Sequence, residues 1–223
     1  MHEKFNSLTS APLFHAITAT ELETMLKCLG SYSKCYAKGQ YILHSGEPVH
    51  CIGVVLSGSV QMLKEDVWGN QSIYMLIQEK GVLGETFVCG EVDCSTVSFL
   101  AAMDCTLLFL PLERVMTACS SACAFHNRLI KNMTKLIARK NSQLMDKLEI
   151  LSKKTLKEKI LTYLSQLAQK EGTLYFVSPL SRLDMAKYLC VDRSALTREL
   201  SRMKEAGLLD YDKNTFRLLA GSK

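Results

Sequence analysis

Between Tyr32 and Pro111 apolar residues come in short alternating or continuous runs, and on either side of that stretch they recur at helical spacing. The middle runs predict strands at Tyr41–His44, Ile52–Leu56, Val60–Glu65, Ser72–Ile77, Thr96–Ala102 and Leu107–Leu110. Gly39, Gly46, Gly53, Gly58, Gly69-Asn70, Gly81, Gly84 and Gly90 break them apart. Short strands with turn signals every roughly 8–12 residues indicate an antiparallel sandwich or barrel. About eight of them wound as a double-sheet jelly roll would enclose a small cavity, the natural seat of a ligand.

The flanks are helical. Residues 1–30 read as a short helical lead-in, with Thr20 as N-cap, Glu21 and Glu23 in the first turn, an apolar set of Leu22, Met25, Leu26 and Leu29, and a stop at Gly30. Pro111 opens a short helix over LERVMTAC, and a long helix follows from about Ser121 to Leu151. Ile130, Ile137, Leu144 and Leu151 recur at a seven-residue period, with Leu129, Leu136 and Ile150 broadening the stripe. That seam predicts a parallel homodimer, made imperfect by Lys140 and Lys147 at its second position. The bland alternative is a helix lying along its own domain. Residues 152–158 read as a hinge, followed by a helix from Leu156 to Gln169 that buries Ile160, Leu161, Leu164 and Leu167, and a strand at Leu174–Val177.

Ser181–Gly207 predicts two helices joined by a tight turn. The first puts Met185, Ala186 and Leu189 on one face. Asp192 caps the second, Gly207 ends it, and Ala195, Leu196, Leu200 and Met203 form its packed face. Arg193, Ser194, Thr197, Arg198, Ser201 and Arg202 share the opposite face. Arginines and hydroxyls on a helix with one packed side suit the DNA major groove, where Arg pairs with guanine O6 and N7. An ordinary amphipathic hairpin with a solvated basic face would look similar. LLDYDKNTFRLLA, two apolar runs around Lys213-Asn214, adds a hairpin directly after the helix and makes the unit a winged helix-turn-helix.

Charge sharpens this picture. The net charge is +5, and from Leu151 to Lys223 there are 14 Lys or Arg against 8 Asp or Glu, so the surplus lies in the C-terminal part. Hydrophobic residues make up 48% and charged residues 22%, a soluble globular balance. No apolar run is long enough to cross a membrane, and the N-terminus lacks the basic and apolar regions of a signal peptide, so a cytoplasmic location is expected. Nine cysteines without an export signal are expected as free thiols.

The order of parts resembles the CRP/FNR family of bacterial transcription regulators. The resemblance covers nearly the whole chain and rests on YAKGQYILHSGEPVHCIGVVLSGSVQMLKED, on the Gly84-Glu85 pair opening GETFVCGEVDCSTVSF, and on DRSALTRELSRMKEAGLL. It implies an α+β fold: an N-terminal double-stranded β-helix (jelly roll) for effector sensing at 1–118, a dimerisation helix at 119–151, and a winged helix-turn-helix DNA-binding domain at 152–223. It further implies a palindromic double-stranded operator and contact with RNA polymerase, as an activator or a repressor. With no P-loop, HExxH, GxSxG or kinase signature in the chain, no enzymatic activity is expected. By position it assigns base contact to Arg193, Ser194 and Arg198. Thr197, Ser201 and Arg202 then face phosphates, Ser181 caps the first helix near the DNA backbone, and Lys213 contacts DNA from the wing.

The effector pocket that the resemblance implies is Gly84, Glu85, Thr86, Ser95, Thr96, Leu144 and Met145. It departs from cAMP-binding members, whose cassette ends in Arg-Ser. Here Ser95 and Thr96 stand at those positions, and no Arg occurs from Gly84 to Met103. Leu144 and Met145 replace the hydroxyls that those members offer to adenine. A buried phosphate without its cation is costly. cAMP is therefore not the expected effector, and an uncharged, more apolar small molecule or none fits better. Phe87, Val88, Phe99, Leu144 and Met145 could fill the pocket themselves. The cysteine spacings do not suit an iron–sulfur cluster or another metal; Cys89 and Cys94 are the candidate redox pair. The resemblance also allows haem sensing, for which His15, His44, His50 and His126 are the candidate ligands, although a lone His is more often an ordinary surface or core residue. The rival reading is a cyclic-nucleotide-binding regulatory module that acts through protein partners rather than DNA.

Overall fold

The computed structural model describes residues 8–90, 92, 94–111 and 124–219. Helix α1 (Ala19–Leu29) starts at Thr18, not at the expected Thr20. The Thr18 hydroxyl accepts from Glu21 N, and the Glu21 carboxylate accepts from Thr18 N, a reciprocal capping box. Those hydrogen bonds, with Arg128 beside it, hold the Glu21 carboxyl below its ordinary pKa.

Among the described residues eight strands follow: β1 (Tyr32–Tyr36), β2 (Tyr41–Leu43), β3 (Cys51–Ser57), β4 (Val60–Glu65), β5 (Gln71–Ile77), β6 (Val82–Leu83), β7 (Ser98–Ala101) and β8 (Cys105–Pro111). They form two four-stranded sheets, β1-β8-β3-β6 and β2-β7-β4-β5. The expected six strands are all present. The sequence reading missed β1 and β6, since β1 is mostly exposed and β6 has two residues. Between the sheets Tyr36, Val55, Val60, Leu83, Phe87, Val97, Phe99, Leu107 and Phe109 pack as one core. A second core joins the lead-in to the other face of the β3–β8 sheet. Phe14, Leu22, Met25 and Leu29 meet Ile52, Val54 and Leu110 there.

The short helix α2 (Glu85–Cys89) hangs from Gly84 at φ +85°, where a Cβ would lie 2.9 Å from the Cys51 carbonyl oxygen. The expected LERVMTAC helix lies outside the described residues. Helix α3 (Ala124–Ser152) is the long helix, with Leu129, Met133 and Leu136 in the lead-in core. Leu129, Leu136 and Ile150 are buried, so they do not broaden an outward seam. Instead Ile130, Leu144, Met145 and Leu148 are exposed, at 40–60%. Lys140 and Lys147 also point to their own chain rather than outward.

Helix α4 (Leu156–Glu171) is capped by Thr155 and Glu158 in a second capping box and ends at Gly172, φ +69°. Only residues 153–155 separate it from α3, a narrower break than the expected 152–158. Its buried face is Ile160, Tyr163, Leu164 and Ala168; Leu161 and Leu167 are half-buried. Burial raises the Tyr163 pKa, and the hydroxyl lies 3.0 Å from Ser178 Oγ. Strand β9 (Tyr175–Val177), helices α5 (Arg182–Leu189) and α6 (Arg193–Glu205), and strands β10 (Leu209–Asp212) and β11 (Thr215–Leu218) complete the chain. The last sheet has the order β10-β11-β9.

Two compact units result. One holds Met1–Gly69 with Met75–Asn141; the other holds Asn70–Tyr74 with Ser142–Lys223.

Candidate nucleic-acid interface and effector cassette

Helix α6 has the two-faced character that its sequence predicts. Leu196, Leu200 and Met203 are 0–1% exposed, and the helix packs against α5, whose own buried residues are Met185, Ala186 and Leu189. On the other side Arg193, Ser194, Thr197, Arg198 and Arg202 are exposed and Ser201 is half-buried. All six residues expected to face DNA therefore lie on one side of one helix. Asp192 occupies the N-cap, but its side chain makes no capping hydrogen bond.

The hydroxyls are not all idle. Thr197 Oγ1 donates to Arg193 O at 2.9 Å, and Ser201 Oγ to Thr197 O at 3.2 Å. These bonds leave each oxygen as an acceptor, and the hydroxyl must rotate before it can donate to a phosphate. Ser181 caps α5: its Oγ accepts from Asp184 N at 3.1 Å and donates to Asp184 Oδ2 at 2.6 Å. Arg202 lies 3.6 Å from Glu199, a loose exposed pair.

The wing is fastened by a residue the sequence reading passed over. Arg182 donates to Lys213 O at 3.0 Å, with its guanidinium 4.9 Å from the Tyr211 ring centre and 5.4 Å from that of Phe216. Burial lowers its pKa. This fixes the turn in which exposed Lys213 sits at φ +50°. The only sequence signal was the pairing of Tyr211 and Phe216 in the hairpin, which offers ring faces for a cation.

In the same unit Lys147 is 5% exposed. Its Nζ donates to Tyr188 O and, at 3.1 Å, to Ile73 O, and lies 3.4 Å from the Tyr188 ring centre. Desolvation lowers its pKa to about 8. Burial likewise pushes the Tyr188 phenol up to about 12.

The cassette belongs to the other unit. Glu85, 1% exposed, is ion-paired through Oε1 to Lys140 Nζ at 2.8 Å and accepts from Thr86 Oγ1 at 3.1 Å. Lys140 also donates to Val82 O. Glu85 Oε2 is buried with no hydrogen-bond partner among the described residues. Ser95, 2% exposed, is bound locally: its Oγ donates to Val97 O at 2.6 Å. Thr96 is exposed. Gly84, Glu85 and Thr86 are consecutive at the start of α2, whereas Leu144 and Met145 belong to the other unit and are 41% and 60% exposed. Lys140, expected at the dimer seam from its helical period, instead serves the cassette.

Cys94 is an exposed free thiol, and the Cys89 side chain lies outside the described residues. The Val88 and His126 side chains also lie outside them. His15, His44 and His50 are exposed; His44 stacks on Tyr41 with ring centres 4.1 Å apart. Among the described residues no group of three or more His, Cys, Asp or Glu could hold a metal ion. Nor is any described helix long and apolar enough to cross a membrane.

Comparison with known proteins follows the same division. The profile of the cyclic nucleotide-binding domain matches residues 33–122, and that of the Crp-like helix-turn-helix domain matches residues 158–220. No curated protein sequence matches the chain. Solved structures share the fold at low identity. The c-di-GMP responsive global regulator CLP of Xanthomonas campestris has a TM-score of 0.75 at 19% identity, covering 92% of this chain and 100% of that one. FixK2 from Bradyrhizobium japonicum has 0.67 at 19%, covering 84% and 92%. The Thermus thermophilus catabolite activator protein has 0.52 at 20%, covering 93% of each chain. With a cyclic nucleotide-binding domain ahead of a Crp-like helix-turn-helix, the chain belongs to the CRP/FNR family of transcription regulators.

Proposed function

We propose that the protein is a homodimer that binds a palindromic DNA site through α6, under control of a small molecule held by the β-roll. The observation that carries this is the face of α6: Arg193, Ser194 and Arg198 are exposed opposite a fully buried Leu196, Leu200 and Met203. Arg193 and Arg198 read bases, with Ser194 between them as a tolerant hydrogen-bonder. Thr197, Ser201 and Arg202, with Ser181, flank the DNA backbone, and Lys213 reaches it from the wing. The exposed Ile130 and Leu144, two heptads apart, with Leu148 one turn further on, support the dimer, since they leave apolar side chains on the surface of α3 at seam spacing, although Ile137 between them packs on the lead-in core. Two-fold symmetry then puts the two α6 helices roughly 34 Å apart, one turn of DNA. RNA polymerase is the further partner of such a regulator.

For the effector, the cassette has no arginine to neutralise a cyclic phosphate, and Lys140 is already paired with Glu85. The spare buried oxygen of Glu85 suits a neutral ligand that donates a hydrogen bond.

Fluorescence anisotropy on a selected operator and on random DNA tests the role assignment. Arg198→Ala should cost about 1–3 kcal/mol on the operator and relax specificity at one base pair. Lys213→Ala should weaken both DNAs alike. Equal losses for both variants on both DNAs would refute the assignment. Micromolar binding of cAMP by calorimetry would refute the effector reading.

A further inference from the structure

The residues of α3 that face the lead-in change character along the helix. Arg128 donates to Ala16 O at 2.6 Å and pairs with Glu21, and Asn132 Nδ2 donates to Leu13 O at 3.0 Å and His15 O at 2.8 Å. These contacts consume the carbonyls of the Leu13–Ala16 turn and neutralise Arg128. One and two turns further on, Lys135 and Arg139 are exposed and have no ion-pair partner among the described residues.

Both line a cleft of about 290 Å³. Its other walls are Thr9, Ser10, Pro12 and His15 on the lead-in, with Asn132 and Leu136 on α3. The whole cleft lies in the unit formed by Met1–Gly69 and Met75–Asn141. No lining residue is a carboxylate. Its lining therefore includes a guanidinium, an ammonium and an imidazole, with two hydroxyl-bearing residues and the apolar Leu136.

We propose that this cleft is a binding site for a small phosphorylated molecule, separate from the cassette. Arg139 supplies the bidentate donor geometry that matches phosphate, Lys135 a point charge, and His15 a ring N–H from the opposite wall. The volume suits a phosphate on a short carbon skeleton rather than a nucleotide. Because one wall is the lead-in and the other is the long helix, the bound anion fastens the Thr9–His15 segment to α3.

The test is calorimetric titration of the intact protein, without DNA and at low salt, with inorganic phosphate and with glycerol 3-phosphate. Saturable binding of one ion per chain is expected, with glycerol 3-phosphate the tighter. Arg139→Gln should weaken it at least about tenfold. Amide shifts on titration should fall on Thr9–His15 and Asn132. Arg139→Gln is a change at an exposed site, so its melting temperature and operator affinity should match wild type; DNA binding is thus read separately. Failure of both probes to saturate would overturn the proposal. So would binding that survives Arg139→Gln with Lys135→Gln, or that disappears in Arg198→Ala, which would place the ion on the DNA face. Binding of an acidic peptide in place of both phosphates would overturn it as well.

Discussion

Lys140→Met separates a structural ion pair from an incidental one. The Glu85 side chain is 2% exposed and that of Lys140 17%, so solvent screens neither well. Removing the ammonium leaves a buried carboxylate held by the Thr86 hydroxyl alone, and strands Val82 O as well. Breaking one side of a buried pair costs about 3–5 kcal/mol, because the remaining charge is uncompensated. For a chain of this size each kcal/mol shifts the melting temperature by roughly 2–4 °C, so a drop of about 6 °C or more is expected. Glu85→Gln with Lys140→Met removes the charge on both sides and should recover most of that loss, since buried pairs contribute little against neutral groups of similar shape. The assay is thermal and urea denaturation of wild type, both single variants and the double variant, closed as a double-mutant cycle. A Lys140→Met loss below about 1 kcal/mol, the range of exposed pairs, would refute the reasoning. So would a double variant no better than the single one.

Further outcomes follow from the second unit. Lys147 has a native pKa of about 8 against an ordinary 10.5. Below pH 8 both states hold the proton; between pH 8 and 10.5 the native state has released it and the unfolded state has not. Stability therefore rises with pH across that window, by at most about 3 kcal/mol, and Lys147→Met should abolish this rise in urea melts at pH 7 and 10. Cys190 closes α5 in the left-handed conformation, φ +55°, where a side chain costs about 1 kcal/mol or more. Cys190→Gly should therefore raise stability in the same melts by about 0.5–1 kcal/mol, and a loss would show that the thiol contacts to Lys187 O at 3.8 Å and Ser72 Oγ at 3.9 Å outweigh the strain.

The fold was largely legible because its period changes are sharp. Alternation marked six of the eight roll strands, and Leu196, Leu200 and Met203 marked the packed side of α6, so the DNA-facing set followed as its complement. What stayed hidden depends on long-range partners. Two lysines at seam spacing looked like flaws in a dimer interface. Helical period says only that residues share a face, and the roll residue Glu85 and the carbonyl of Tyr188 decide which way Lys140 and Lys147 turn. Arg182 carries no local signal, because its aromatic partners lie about 30 residues away in the wing. Thr18 and Thr20 each have a glutamate three positions on, so capping-box spacing alone does not choose between them; in the fold Glu21 closes the box with Thr18, and Glu23 pairs with Lys27 instead. The cleft beneath Lys135 and Arg139 needed the lead-in to be folded back on α3, which no local pattern announces.

The most direct test of the central claim is selection of bound sequences from random double-stranded DNA with the purified protein. An inverted repeat is expected, with half-sites centred roughly 10 base pairs apart, bound by two chains and no longer enriched with Arg198→Ala. Enrichment of no sequence, or of an asymmetric site bound by a single chain, would contradict it.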